Sequence, residues 1–131
     1  MRTPSVLLFV YGSLRRGAPG HGLLRGHVPL GEAVLEGYRL IWPDWYPAAV
    51  PAPGCRVEGE LYLVPRRLLP VLDDYEDAPG VFLRRPVWVA ARGGRLRAWA
   101  YLANWRGPVL AGCGRRGDAG GGEWWPGRGP A

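Results

Sequence analysis

Apolar positions along the chain fall into short runs, and only one segment repeats them at helical spacing. Ser5–Val10 is almost continuously apolar over six residues, which suits a buried strand. Residues 17–22 form a loop rich in Gly and Pro. Residues 32–42 (EAVLEGYRLIW) predict one or two strands, broken or bulged at Gly37. Residues 43–54 (PDWYPAAVPAPG) hold four prolines and read as an extended loop crossing the surface. In VEGELYLV, Val57, Gly59, Leu61 and Leu63 point one way and Glu58, Glu60, Tyr62 and Val64 the other, the period of a strand.

The helical spacing lies in PRRLLPVLDDYED. Leu68, Val71, Leu72 and Tyr75 follow the i, i+3, i+4, i+7 rule. Pro70 suits only the first turn of a helix, so the helix is short and starts near it. Residues 81–91 and 95–103 are two further strand candidates, with Gly93-Gly94 marking a hairpin between them. From residue 107 to 131 the chain is a Gly-rich tail, which could wrap back through Trp124 and Trp125 onto a domain of residues 1–106. The predicted fold is therefore α+β: a small mixed β-barrel with few short helices.

Composition changes this picture little. A chain of 131 residues is one domain. No apolar run is long enough to span a membrane, and no secretory leader is recognisable, so a cytoplasmic protein with Cys55 and Cys113 as free thiols is the expectation. The formal charge of +6 would ordinarily suggest nucleic acid. Here every basic residue is arginine, scattered without a basic run, within a Gly/Pro/Ala/Arg-rich composition. Nucleic acid is accordingly not the expected partner. His21 and His27 are loop or surface residues by their spacing, and no Cys/His cluster predicts a metal. No signal sets an oligomeric state.

Two stretches carry candidate chemistry. After the first strand, Tyr11-Gly12-Ser13 is either a plain turn or a cradle of backbone N–H groups. In LDDYED, acids near a helix C-terminus oppose the helix dipole. Of the four, Glu76 lies on the edge of the apolar stripe, Asp73 is farther round, and Asp74 and Asp77 point away. A carboxyl between apolar and aromatic walls has a raised pKa and suits proton transfer near neutral pH. The GxSxG elbow is missing, so Ser13 is not read as a nucleophile.

VYGSLRRG, YPAAVP, VEGELYLV, LDDYED and FLRRPVWV, in this order over about residues 6–103, resemble the gamma-glutamylcyclotransferase-like family, on its AIG2-like and gamma-glutamylamine cyclotransferase branch. The resemblance implies a barrel with one cavity and no metal or organic cofactor. It implies that Tyr11, Gly12, Ser13 and Leu14 hold a gamma-glutamyl substrate and that Glu76 is the general acid/base. The reaction it implies is attack of the substrate's alpha-amino group on its own gamma-carbonyl, releasing 5-oxoproline. Tyr46, Arg84, Tyr101 and Trp105 are candidate cavity residues, with Arg84 also a candidate ion-pair partner for the acid cluster. Arg15 and Arg16 are read as solvated. Two positions depart from the family pattern: Asp77 stands where glycine usually follows the glutamate, and Phe82 replaces a common tyrosine. A non-catalytic small-ligand or interaction module on the same fold is the alternative.

Overall fold

The computed structural model describes residues 4–12, 14–18, 20–43, 46–105, 109 and 112–113. Five strands close a barrel in the order β1-β3-β2-β4-β5. They are β1 (Ser5–Val10), β2 (Val28–Ile41), β3 (Ala48–Pro65), β4 (Phe82–Ala91) and β5 (Gly94–Ala103). All neighbouring pairs are antiparallel except β1 and β5, which close the barrel in parallel through Leu8↔Trp99 and Phe9↔Ala100.

The sequence signals locate most of these elements. β2 is one strand, and its register shifts between Glu36 and Tyr38, at Gly37 with φ 84°. The β4–β5 turn sits one residue earlier than the Gly-Gly pair suggests. Arg92 (φ 53°) and Gly93 (φ 77°) both adopt positive φ, as a two-residue hairpin of this twist demands, and Ala91 faces Gly94.

Residues 48–54 correct the sequence reading: they are strand, not surface loop. Tyr38↔Pro51 and Ile41↔Ala48 pair this segment with β2, whereas β1 reaches β3 only between Val10↔Glu60 and Ser5↔Pro65. The first part of β3 is thus an edge, where proline's missing N–H leaves no ladder bond unmade.

Alternation along the strands feeds two apolar clusters. Phe9, Leu35, Val57, Leu61, Val89 and Ala100 belong to one, which fills the barrel. Leu8, Tyr62, Val64, Leu69, Leu72 and Phe82 belong to the other, between the outer sheet face and the helix. Both faces are covered where the end of β1 pairs with β3 from Leu61 onward, which is why Leu8–Val10 are buried without alternation.

The helix α1 (Leu69–Tyr75) follows a single 3-10 turn at Arg66–Leu68, with Pro70 in its first turn. Its buried stripe is Leu69 and Leu72, while Val71 is exposed. That shifts the stripe from the one read at Leu68/Val71, and it carries Glu76, four residues after Leu72, from the stripe's edge onto its line.

Cys55 and Cys113 form a disulfide, with Cα atoms 5.3 Å apart. This overturns the free-thiol expectation. A separation of 58 residues hides the pairing from sequence, because no local pattern records it. Arg39, buried, also donates from Nη1 to the Gly112 carbonyl at 3.0 Å. Residues 112–113 are thereby tied to the barrel; Trp124 and Trp125 lie outside the described residues. Cys113→Ser is expected to lower stability by about 2–4 kcal/mol, the range for a cross-link that closes a loop of this size. Equilibrium urea unfolding of the oxidised protein and the variant checks this.

Candidate active site

The end of β1 is where the two clusters meet. Phe9, Val10, Tyr11, Gly12, Leu14, Glu76, Phe82 and Tyr101 line a cleft there. Its volume with the open mouth is ≈ 250 Å³, but the enclosed part is only ≈ 10 Å³, room for about one water molecule.

Glu76 caps the C-terminus of α1, its N–H donating to the Leu72 carbonyl at 2.9 Å. The next residues bind back onto the last turn: Asp77 N–H to Asp74 C=O at 3.2 Å, and Ala78 N–H to Asp73 C=O at 2.9 Å. This double closure requires a left-handed residue after the cap, and Asp77 takes that role at φ 54°. Glycine meets the requirement without strain, so the family preference for glycine here has a backbone cause. Aspartate tolerates the conformation better than most residues, at some cost. Asp77→Gly is expected to raise stability by about 1 kcal/mol without moving Glu76. Thermal unfolding checks it, and a lower melting temperature would contradict the strain argument.

The Glu76 side chain is buried (3% exposed), and Oε1 has no hydrogen-bond partner among the described residues. Burial pushes its carboxyl from 4.5 up to about 8. At neutral pH the group is mostly protonated but within reach of ionisation, the range in which a carboxyl can both accept and return a proton.

Two phenols flank it, and both are committed elsewhere. Tyr11 donates to the Tyr101 carbonyl at 2.5 Å and accepts the Ala49 N–H at 2.9 Å, stitching β1's end to β5 and β3. Tyr101 donates to Asp73 Oδ1 at 2.6 Å. Asp73 also takes a two-pronged contact from Arg84, 2.7 Å from Nε and 3.1 Å from Nη2. Burial holds both phenols well above their ordinary range. Partial burial works to raise the Asp73 carboxyl, but hydrogen bonds from Arg84 and Tyr101 outweigh it and hold Asp73 below its ordinary value.

The turn after β1 is fastened from several sides. Arg15 N–H donates to the Gly12 carbonyl at 3.1 Å, and Arg16 N–H donates to Glu60 at 2.9 Å. Glu60 also accepts from the Tyr62 hydroxyl at 3.0 Å. His21 Nδ1 lies 3.0 Å from the Leu14 carbonyl, which can only accept, so that nitrogen carries the proton.

The structure thus brings Tyr11, Gly12, Leu14, Glu76 and Tyr101 to one cleft. Ser13 lies outside the described residues. Tyr46 is not among the lining residues; it is fully buried, its ring 5.9 Å from that of Phe82. Arg84 does not line the cleft either: it is paired with Asp73 and lies 4.6 Å over the Trp99 ring. Trp105 packs at the margin of the outer cluster. Sequence reasoning passed over Asp73 as farther round the helix, and it missed Phe9 and Phe82 as walls. The signal for Asp73 was an arginine opposite an acid cluster, which gives a pair but not the third partner, Tyr101. Among the described residues, no group of three or more His, Cys, Asp or Glu is placed to hold a metal ion. None of the described helices is long and apolar enough to cross a membrane.

Residues 8–124 match the family model described as gamma-glutamyl cyclotransferase, AIG2-like. The chain belongs to this family. Among its relatives, the gamma-glutamylaminecyclotransferase of Homo sapiens is 37% identical over 90 residues, 60% of this chain and 58% of its own. A Pyrococcus horikoshii relative is 34% identical over 103 residues, 79% of this chain and 84% of its own. The chain therefore spans a little over half of the human relative and most of the archaeal one. Among solved structures, an AIG2-like protein from Mus musculus superposes with a TM-score of 0.72 at 27% identity, covering 79% of this chain and 80% of that one. The Pyrococcus horikoshii protein superposes with a TM-score of 0.62 at 32% identity, covering 77% and 80%. The AIG2-like cyclotransferase fold is thus the architecture that places Glu76 beside the β1 turn.

Proposed function

We propose that this protein is a gamma-glutamyl cyclotransferase: it converts a gamma-glutamyl amine or small gamma-glutamyl peptide into 5-oxoproline and a free amine or amino acid. The observation that carries this reading is the buried Glu76 carboxyl, its Oε1 without a partner among the described residues, in one cleft with Tyr11, Gly12 and Leu14. Membership of the family and the name of the human relative agree with it.

The substrate's alpha-ammonium loses a proton to Glu76, and its nitrogen then attacks the gamma-carbonyl carbon of the same molecule. A carbon–nitrogen bond closes the five-membered lactam, the bond to the departing amine breaks as Glu76 returns its proton to the leaving nitrogen, and the second proton shed by the ring nitrogen leaves with that amine as an ammonium. A peptide alpha-amino group titrates near 8 and the substrate's own alpha-carboxylate raises its value, so transfer to a carboxyl raised to about 8 is far less uphill than transfer to an ordinary carboxylate. Because the nucleophile and electrophile share one molecule, holding it folded supplies much of the acceleration. Gly12 and Leu14 offer backbone groups to the substrate's polar end, while Phe9 and Phe82 exclude water from the reacting atoms.

The test is 5-oxoproline release from a panel of gamma-glutamyl amines and dipeptides, followed over pH 5.5–9.5. Release is expected, with kcat/KM rising with pH toward a plateau above about 8. Ligand binding without release from any substrate would favour a non-catalytic binding module on the same fold.

A further inference from the structure

A buried carboxyl with an oxygen lacking a partner is unusual when a phenol lines the same cleft. A hydrogen bond from a phenol would stabilise the ionised carboxylate and pull its pKa down. Here neither phenol is available. Tyr11 is fully used between the Tyr101 carbonyl and the Ala49 amide. Tyr101 turns its proton away, onto Asp73. Asp73 wins that proton because it is ionised, only half-buried and clamped by Arg84, and a charged acceptor is stronger than a neutral buried acid.

We propose that Asp73 is a positioning residue: clamped by Arg84, it withholds the Tyr101 hydroxyl proton from Glu76 and so keeps the Glu76 carboxyl a poised base. The proposal rests on the reading of Glu76 as the proton shuttle, and it adds the device that tunes it. The groups that bear on Glu76 are Tyr11 at the end of β1, Tyr101 on β5, and Asp73 on its own helix with Arg84 of β4 behind it. Asp74 and Asp77 flank it in sequence. The charge of Glu76 is itself felt at the Tyr101 phenol, among the causes that hold it protonated. The Asp73 backbone carbonyl also accepts the Ala78 N–H, which holds the residues that follow Glu76 against the helix end.

The test is a titration of the Glu76 carboxyl by carbon-13 NMR in the full chain, in wild type, Asp73→Asn, Tyr101→Phe and the double variant. In Asp73→Asn the charged acceptor is replaced by a weaker amide oxygen, so the phenol is expected to turn toward Glu76 and the midpoint to fall by at least one pH unit. Tyr101→Phe alone is expected to leave the midpoint within a few tenths of the wild type. The double variant is expected to return to the wild-type midpoint. A midpoint unchanged by Asp73→Asn overturns the proposal. So does a fall that persists in the double variant, because that would be the lost Asp73 charge acting directly rather than through the phenol.

Arg84→Gln gives a second route should Asp73→Asn not fold. It loosens the clamp, so a smaller fall in the same direction is expected, abolished by adding Tyr101→Phe; an unchanged midpoint counts against the proposal. The titration reads the carboxyl whether or not substrate turns over. A wild type that releases no 5-oxoproline would defeat the cyclotransferase reading, while the titration still decides the role of Asp73. Where turnover is present, the acid limb of kcat/KM is expected to move with the midpoint, which a merely structural role for Asp73 would not produce.

Discussion

Replacing Glu76 with glutamine is expected to lower 5-oxoproline release by about 10²–10⁴-fold, the range for loss of one general acid/base. The same change is expected to make the protein more stable at alkaline pH. Glutamine keeps the size and polarity of the side chain, so the cleft walls of Phe9, Phe82 and Tyr101 stay in contact. What is lost is the proton. The stability effect follows from the raised carboxyl. In the unfolded chain Glu76 titrates near 4.5, and in the folded protein near 8. Between those values the folded state holds a proton that the unfolded state has released, so wild-type stability falls as pH rises through the window. Below about 4.5 the contribution is fully present; above about 8 it is gone. The slope reaches about 1.4 kcal/mol per pH unit, giving an upper bound of about 4–5 kcal/mol across the window. The glutamine variant has no such window. Urea unfolding at several pH values should show the two curves separating between pH 5 and 8, with the variant the more stable at pH 9. Parallel curves, or equal turnover in the two proteins, would remove Glu76 from the role assigned to it.

Gly59→Ala is expected to cost about 3–5 kcal/mol and to disturb the cleft as well. A Cβ at position 59 would stand 2.3 Å from the Val10 carbonyl oxygen and 2.7 Å from the Phe9 ring. The first of these is backbone, which cannot swing aside as a side-chain tip can. Overpacking in cores typically costs 1–3 kcal/mol, and a clash with backbone places this change at or above the top of that range. Relief requires β1 to move away from β3, and β1 carries Phe9, Val10 and Tyr11 into the cleft. Loss of stability should therefore be accompanied by weaker substrate binding in whatever folded protein remains. Thermal unfolding together with KM for a gamma-glutamyl substrate measures both. An alanine variant with wild-type stability would mean that the strands can separate freely, contrary to the close contact seen here.

These two positions also divide what is legible in a sequence from what is not. The periodicity of VEGELYLV places Gly59 on the core side, and that of LLPVLDDYE places Glu76 against apolar neighbours. Both are local facts, set by which way consecutive side chains leave a strand or a helix. The short helix with Pro70 in its first turn, the hairpin near Gly93 and the bulge at Gly37 are local in the same sense.

Everything that depends on closing the barrel was decided at the tertiary level. Pairing of Ser5 with Pro65 and Leu8 with Trp99 joins residues tens of positions apart, and no local pattern records it. That closure covers both faces of β3 from Leu61 onward and leaves its proline-rich first part an edge strand, while the fold sets Cys55 beside Cys113. It also sends Tyr46 into packing with Phe82 while bringing Tyr101 to the cleft, although the two tyrosines look equivalent in the sequence. Asp73 shows the limit most clearly. Helical geometry correctly turns it away from the Glu76 stripe, but only β4 and β5 determine that Arg84 and Tyr101 await it there. Local periodicity dictates which side chain each element presents to the interior. The tertiary structure decided which partners those side chains meet, because hydrogen bonds and close contacts act over a few ångströms of space, whatever the distance along the chain.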